Sequence, residues 1–199
     1  SGASEVVAET TVTIATEAGK LRQTVTTDAY GVAVFEALPG DYHVAICPNP
    51  SSSHASYIGN ITLNASQASP EIALEERVSF HGKVLKHDGR SLASGSLMLT
   101  RHLPEADAKA ALVTPSPFSV NIEDDGSFAS KVDPGRYTVR VSPGPGSDAP
   151  PFNILDVDIE WDEELTIQLP ALDLVHLTVL NAKGEPLPAV SVELYAIQA

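Results

Sequence analysis

Two short stretches of the sequence decide its fold: Asp124-Asp-Gly126-Ser-Phe128 and Pro134-Gly-Arg-Tyr137-Thr-Val139. The first is typical of a tight turn between two strands, because Asp bonds to the nearby backbone and Gly accepts a positive φ. In the second stretch Pro-Gly forms another turn, and the alternation of Tyr137 and Val139 with polar residues predicts a half-buried strand. Turns and strands in such close succession indicate an antiparallel β-protein.

The same stretches occur once before, 95 residues earlier in the sequence. Gly31 aligns with Gly126 and Tyr42 with Tyr137. The register continues without a gap through further pairs of similar residues, which are Pro39/Pro134, Gly40/Gly135, Tyr57/Phe152, Ile72/Ile167, Leu74/Leu169, Gly89/Gly184 and Leu92/Leu187. A repeat of this length is the size of a small domain, so it predicts a tandem array of one structural unit.

Short β-branched or aromatic segments fill each repeat and predict about seven strands per unit. They are Thr11–Thr16, Val32–Phe35, Tyr42–Ile46, Val78–Leu85, Leu97–Thr100, Tyr137–Val141 and Leu165–Leu169. Pro104–Val113 is the one helical candidate, since Pro stands in its first turn and Glu105 and Asp107 favour a helix N-terminus. With no helices alternating between the strands, the pattern favours an all-β fold of tandem immunoglobulin-like β-sandwich modules with antiparallel strands.

Three motifs of the second repeat carry a resemblance to a known family. They are Gly82-Lys-Val-Leu-Lys-His-Asp-Gly89-Arg-Ser-Leu92 and the two stretches quoted above. The chain resembles the carboxypeptidase regulatory-like, or transthyretin-like, module. This resemblance implies a seven-stranded sandwich without catalytic residues, of a kind found in bacterial surface proteins, in outer-membrane transporters and beside the peptidase domain of some metallocarboxypeptidases.

The resemblance divides the chain into three parts. Residues 77–170 would form a complete module, residues 5–76 a module that lacks its opening hairpin, and residues 171–199 the opening hairpin of a third module or a pair of complementing strands. An incomplete module and a bare hairpin both leave strand edges without partners. Truncation of a longer array would explain this, and so would head-to-tail self-association through residues 174–199.

The collagen-adhesin B-type module is a related family, in which a Lys of the first strand joins an Asn or Asp of the last strand in an isopeptide bond. Lys86 stands near the position that this relationship implies. The last strand of the complete module, Leu165–Leu169, contains Gln168 but no Asn or Asp. The sequence therefore lacks the acceptor that the cross-link needs in that strand.

The composition excludes several classes of function. Asp and Glu outnumber Lys and Arg 26 to 12, and the net charge of −14 repels nucleic acid and anionic lipid. The hydrophobic content of 43% is too high for a disordered chain, and no apolar run approaches the roughly 20 residues of a membrane helix. Cys47, the only Cys, can form no intrachain disulfide; we expect a buried inert thiol, with intermolecular pairing or reactivity as the alternative.

Sequence motifs of catalysis are absent. There is no Gly-x-Ser-x-Gly elbow, no His-Glu-x-x-His helix and no glycine-rich phosphate loop. A structural or solvated role is expected for each of the six scattered histidines, His43, His54, His81, His87, His102 and His176. We therefore expect no catalytic residue, no cofactor and no metal site.

The segment 156–162 has the most distinctive local pattern. Its acidic residues Asp156, Asp158, Glu160 and Asp162 alternate with Val157, Ile159 and Trp161, so one strand face should be acidic while the apolar face packs inward. Together with Glu123, Asp124 and Asp125, these carboxylates could supply the oxygen ligands of a calcium site. A solvated face that discourages edge-to-edge pairing is the alternative, and we favour it because no Asp-x-Asp-x-Asp-Gly loop is present.

Tyr42 and Tyr137 each follow a Pro-Gly pair by two residues. At this position the ring can pack in the core while the hydroxyl bonds to the backbone, as in a tyrosine corner; ligand stacking is the alternative. Two sequons, Asn60-Ile-Thr62 and Asn64-Ala-Ser66, would accept glycans only in a eukaryotic secretory pathway.

These features predict a non-enzymatic structural or adhesive repeat array of an extracytoplasmic protein, which acts as a spacer or protein-interaction scaffold on the cell surface, in the periplasm or after secretion. Its partner, a protein or a glycan, is left open. One alternative is an accessory domain of a secreted enzyme of the metallocarboxypeptidase type. Another is a carbohydrate-binding module, which would need aromatic side chains such as Trp161 exposed on one face.

Overall fold

The computed structural model describes residues 7–16, 22–64, 70–103, 116–171, 177–192 and 196–198. Within these ranges the chain is all-β, with no helix; the predicted helix Pro104–Val113 lies outside them. The strands are β1 (Thr11–Thr16), β2 (Arg22–Thr26), β3 (Gly40–Cys47), β4 (Tyr57–Leu63), β5 (Val78–Leu85), β6 (Gly95–Arg101), β7 (Phe118–Ile122), β8 (Ser127–Val132), β9 (Gly135–Pro143), β10 (Phe152–Ile159), β11 (Glu163–Gln168) and β12 (Ala196–Gln198).

The first four strands form an antiparallel sheet of order β2-β1-β3-β4, here called the N-terminal sheet. Alternating residues of β1 and β3 bury one face of it, because successive side chains of a strand point to opposite faces. The buried residues of this face are Val12, Ile14, Tyr42, Val44 and Ile46. Half-buried side chains from residues 33–37 and 72–74 pack over it without forming strands.

Strands β5 to β11 form a two-layered unit, here called the central sandwich. One layer has the order β11-β5-β8 and the other β10-β9-β6-β7, with β12 added beside β10. Seven strands is the number that the family resemblance implies. Most pairs are antiparallel as predicted, but β5–β11 and β10–β12 are parallel. The layers enclose one core that includes Phe80, Val84, Phe128, Tyr137 and Val139.

The N-terminal sheet and the β10-β9-β6-β7 layer repeat each other pair for pair. Ile14 of β1 lies opposite Val44, and Leu99 of β6 lies opposite Val139, which is 95 residues after Val44. Strand β1 therefore takes the place of β6, although only 85 residues separate Ile14 from Leu99. The spacing is shorter than 95 residues because the connection from β1 to β2 is shorter than the connection from β6 to β7. The described part of the chain before β5 contains no counterpart of the three-stranded layer β11-β5-β8.

The predicted strand Val32–Phe35 is wrong, because the structure shows no strand there. Its counterpart 95 residues later is β8, which is hydrogen-bonded to β5. The residues that align with β11 likewise form no strand over 70–73, and β11 also pairs with β5. A segment with strand-like sequence thus remains irregular where the described chain offers its backbone no partner strand. The six other predicted strands are confirmed, with boundaries shifted by a few residues.

A second copy of the opening turn of residues 84–92 lies at residues 179–187. Leu92 donates its backbone N–H to Val84 O, and Leu187 makes the same bond to Val179. Gly89 and Gly184 close the two turns with φ values of +80° and +83°, a conformation that favours glycine. The repeat therefore extends into the C-terminal segment, whose last described strand, β12, pairs with β10 of the same chain.

Candidate functional site: the Arg77 junction

Both predicted tyrosine corners are confirmed. Tyr42 Oη donates to Leu38 O at 2.8 Å, and Tyr137 Oη donates to Asp133 O at 2.6 Å. Burial raises the pKa of the Tyr137 hydroxyl well above its usual range. Both rings lie in the core, so neither is available for stacking on a ligand.

Arg77 connects the N-terminal sheet to the central sandwich. It directly precedes β5, and its backbone N–H donates to Ser53 O at 2.7 Å. Its Nη1 donates to two carbonyl oxygens of the loop after β3, at 2.5 Å to Pro50 and 3.0 Å to Ser52. Its Nε donates to Asp133 Oδ1 at 2.9 Å, at the start of the second tyrosine corner. One guanidinium thus holds a loop of one region and a turn of the other.

The ion pair at this junction is buried. Arg77 is 7% exposed and Asp133 is 2% exposed. Burying two charges is costly unless the remaining polar atoms find partners. Here the guanidinium also lies 5.5 Å from the centre of the Phe118 ring, and Arg101 Nη1 approaches the second carboxylate oxygen of Asp133 at 3.8 Å. These extra contacts fix the positions of the Arg77 guanidinium and the Asp133 carboxylate from several sides.

Cys47 ends β3 close to the same junction. Burial raises the pKa of its thiol, the negative charge of Asp133 raises it further, and a hydrogen bond with Ser56 acts in the opposite direction. Cys47 is half-buried, so the burial expected from the sequence is only partial, and the raised pKa disfavours the thiolate, which is the reactive form of cysteine.

Several of the carboxylates considered for calcium already have other partners in the structure. Asp156 and Asp158 face Arg136 at 4.0 Å, while Asp162 accepts a hydrogen bond from the backbone of Ser79 at 2.6 Å. Asp125 accepts from the backbone of Ser127 within its own turn. Among the residues that the structure describes, no group of three or more His, Cys, Asp or Glu side chains could hold a metal ion.

The alternation predicted for residues 156–162 is only partly correct. Strand β10 is irregular between Ile154 and Val157, and Asp156 has a positive φ of +56°. Ile159 is buried as predicted, but the strand ends there. The prediction that Trp161 packs inward is wrong, because this side chain lies beyond the strand and is 66% exposed.

Lys86 forms an ion pair rather than meeting the last strand. Its Nζ lies 2.6 Å from Asp148 Oδ1, in the loop between β9 and β10. The hydrogen bond from Lys86 is the main reason why the pKa of Asp148 lies below its usual range. Gln168 instead donates to His87 O at 3.3 Å. The sequence analysis did not single out Asp148, because it stands in a loop outside any strand pattern.

The described histidines occupy separate places. His102 Nε2 lies 2.7 Å from Thr138 Oγ1 and His54 Nδ1 lies 3.4 Å from Ser52 Oγ. His43 lines a shallow depression of about 300 Å³ on the N-terminal sheet. His81 and His87 are exposed, and His176 lies outside the described residues. In the part of the chain that the structure describes, there is no helix long and apolar enough to span a membrane.

Arg77 and Asp133 were not among the predicted site residues, although the repeat contains a signal for both. Asp133 aligns with Leu38, so a charged residue stands where the first repeat has an apolar one. Arg77 aligns with Leu172 one repeat later. Two positions at which one repeat has a charged residue and the other repeat an apolar one therefore indicate a contact that is specific to one junction.

Sequence comparisons find no match: no family model matches the chain, and no curated protein does. Comparison of structures finds partial likenesses. The Bacillus anthracis TIE protein matches with a TM-score of 0.32 and 15% identity over 92% of this chain, which spans 38% of the length of that chain.

Shaft pilin spaA from Lactobacillus rhamnosus GG is a second likeness, with a TM-score of 0.31, 11% identity and coverage of 85% of this chain and 90% of that chain. A variant of the same pilin gives a TM-score of 0.33 at 10% identity. The class of protein is therefore defined by the chain's own strand order and pairing, which are those of an all-β, immunoglobulin-like sandwich.

Proposed function

We propose that this chain is a non-enzymatic structural segment of a repeat array, which acts as a spacer or protein-interaction scaffold in an extracytoplasmic protein. Its modules would be residues 5–76, 77–170 and 171–199, of the carboxypeptidase regulatory-like type. The tandem recurrence of turns and strand pairs supports this division, since Gly31, Gly126 and Gly89, Gly184 mark equivalent turns in successive copies.

The Arg77 junction is the single observation that carries the proposal. A spacer must hold successive modules in a fixed relation, because independently mobile modules would set no distance between what they carry. The buried Arg77–Asp133 pair, with carbonyl partners at Pro50 and Ser52, joins the loop after β3 to the turn between β8 and β9. Such a contact is directional and leaves little freedom for rotation.

Small-angle X-ray scattering of the full chain tests this proposal. Arg77→Ala should increase the maximum dimension and the flexibility of the particle, and should lower the free energy of unfolding by about 3–5 kcal/mol because Asp133 is left buried without its partner. Arg77→Lys keeps the charge but loses the planar donor fork, so we expect a smaller change in the same direction.

Arg136→Ala is the matched control, since this exposed arginine has only distant ion pairs on β9 and β10. Its scattering curve should equal that of the unchanged protein. A folded Arg77→Ala protein whose scattering is also unchanged would contradict the proposal, because the junction would then not fix the relation of the modules.

Head-to-tail self-association through residues 174–199 is a second candidate mode of assembly. It is supported by the second copy of the opening turn at 179–187 and by exposed apolar residues in the described part of the C-terminal segment, such as Leu180, Val190 and Val192. In the structure, β12 of this segment lies beside β10 of its own chain, so an exchange between two molecules would have to replace that pairing.

A further inference from the structure

Strand β4 is an edge of the N-terminal sheet. Its seven residues, Tyr57–Leu63, pair with β3 in an unbroken register from Gly40–Leu63 to Ile46–Tyr57. The described residues place no strand on its other side. Among the described residues, the outward-facing backbone N–H and C=O groups along this edge therefore have no partner strand.

The equivalent edge in the central sandwich is protected, and β4 is not. Strand β10 carries Asp156 and Asp158, has an irregularity in its register and is covered at Phe152–Ile154 by β12. Charges, bulges and covering strands are the devices that prevent edge-to-edge pairing. Strand β4 has none of them: it contains no charged residue, no Pro and no register shift.

Other edges are also better guarded. Strand β2 begins with Arg22, β8 contains Lys131 and β11 contains Glu164. Strand β7 is uncharged but is two residues shorter than β4 and runs directly into Glu123. In a chain with a net charge of −14, a seven-residue edge without charge is the place where two copies can approach with the least repulsion.

The sequence of β4 is also complementary to itself. In an antiparallel pair of two copies centred on Asn60, Tyr57 lies opposite Leu63, Ile58 opposite Thr62, and Gly59 opposite Ile61. Every opposed pair is apolar or neutral, and the two Asn60 residues meet at the two-fold axis. The one carboxylate on the adjoining strand that contacts β4, Asp41, accepts a hydrogen bond from Thr62 at 2.6 Å.

We propose that the β4 edge is a homodimer interface, in which two copies of this chain join their N-terminal sheets into one continuous antiparallel sheet. The symmetry makes the contact isologous, so it closes at two copies. Backbone hydrogen bonds supply the attraction, and the neutral side-chain pairs fix the register. This dimer rests on residues of the N-terminal sheet and is independent of the Arg77 junction.

Analytical ultracentrifugation of the full chain over a concentration series tests the interface. We expect a reversible monomer–dimer equilibrium. Asn60→Lys places two like charges opposite each other at the two-fold axis and should weaken association about tenfold or more, because like charges on facing strands repel. Ser119→Lys, at an exposed position in the middle of β7, is the matched control and should leave the equilibrium unchanged.

Circular dichroism and thermal melting show whether Asn60→Lys is folded; its side chain is exposed, so we expect an unchanged fold. A monomer at every concentration, or a dimer that Asn60→Lys does not weaken, would overturn the proposal. A dimer lost with Val192→Lys instead would assign assembly to the C-terminal segment and equally overturn it.

Cross-linking gives an independent measurement. Across an antiparallel pair, directly opposed Cα atoms are about 4.5–5.5 Å apart, which is within the reach of a disulfide. In a Cys47→Ser background, Asn60→Cys should therefore form a covalent dimer under oxidising conditions, whereas Thr26→Cys on the opposite edge should not. Equal cross-linking of both variants would indicate random collision and contradict the specific interface.

Discussion

The N-terminal sheet and the central sandwich share one four-stranded layer, and the central sandwich adds the three-stranded layer β11-β5-β8. Strand β3 lies beside β1 in the N-terminal sheet, and β9 lies beside β6 in the central sandwich. Equivalent positions of the repeat lie opposite one another in the two pairs. Among the described residues, a strand equivalent to β5 occurs only in the central sandwich, and only there do the flanking segments become the strands β8 and β11. The same kind of sequence thus gives a strand in one region and an irregular segment in the other.

This difference shows that a segment forms a strand here when a neighbouring strand is present to pair with it. Ala37 is half-buried where Val132 is completely buried, and Ile72 is half-buried where Ile167 is buried. Strand β5 inserts Phe80 and Val84 into the core, and the residues around them lose their remaining contact with water. Strand β5 therefore supplies both the backbone pairing and the burial of apolar surface.

The largest expected effect separates the two tyrosine corners. Tyr137→Ala should lower the free energy of unfolding by about 3–5 kcal/mol, because a fully buried ring leaves a cavity in a closed core. Tyr42→Ala should cost about half as much, since half-buried neighbours such as Tyr57 and Ile72 can move into the space. Denaturant titration of the full chain measures both.

Equal costs for the two substitutions would break this comparison, because they would show that the N-terminal sheet is packed as tightly as the central sandwich. An unchanged melt of Tyr137→Ala would mean that its ring does not contribute to the core at all.

Removal of only the hydroxyl should have a smaller effect. Tyr137→Phe loses the bond to Asp133 O and should cost about 1–2 kcal/mol at neutral pH. Because burial raises the pKa of Tyr137, the folded state resists ionisation of this group. Its contribution to stability is complete below the ordinary tyrosine pKa of about 10 and is lost as the pH rises above that value.

Thermal melts between pH 9 and 11 (about one unit on either side of the ordinary tyrosine pKa) check this sign. The unchanged protein should lose stability over that interval more steeply than Tyr137→Phe. Parallel losses in the two proteins would contradict a role for Tyr137 ionisation.

Calcium should have the smallest effect. Most of the carboxylates considered for calcium have no acidic counterpart one repeat earlier, since Tyr30 aligns with Asp125 and Leu63 with Asp158; only Glu123 aligns with an acidic residue, Asp28. Since no group of three or more described His, Cys, Asp or Glu side chains could hold a metal ion, we expect millimolar calcium to shift the melting temperature by less than about one degree. A shift of many degrees that disappears in Asp158→Asn or Asp125→Asn would instead assign a calcium site to the central sandwich.

Much of the fold could be predicted from the sequence because its information is local. Turns such as Asp124–Gly126 and the corners at Tyr42 and Tyr137 depend on residues a few positions apart, and strand alternation is visible in the same way. The strand Val32–Phe35 could not be judged locally, because its formation depends on a partner distant in the sequence.

The Arg77 junction could not be predicted from the sequence for the same reason. Arg77 and Asp133 are 56 residues apart, and nothing near either residue indicates the other. The position of Trp161 was mispredicted because alternation was extended past Ile159, where β10 ends. In each case the missing information was which backbone lies next to which.

The parallel pairing of β5 and β11 has a consequence for how the central sandwich would respond to tension. These are its first and last strands, and they lie side by side through six residue pairs, from Phe80–Glu163 to Leu85–Gln168. When the chain is pulled from both ends, one strand is drawn toward its start and the other toward its end. The hydrogen bonds between them are then sheared together instead of being opened one at a time, so the arrangement resists extension along the axis of the chain.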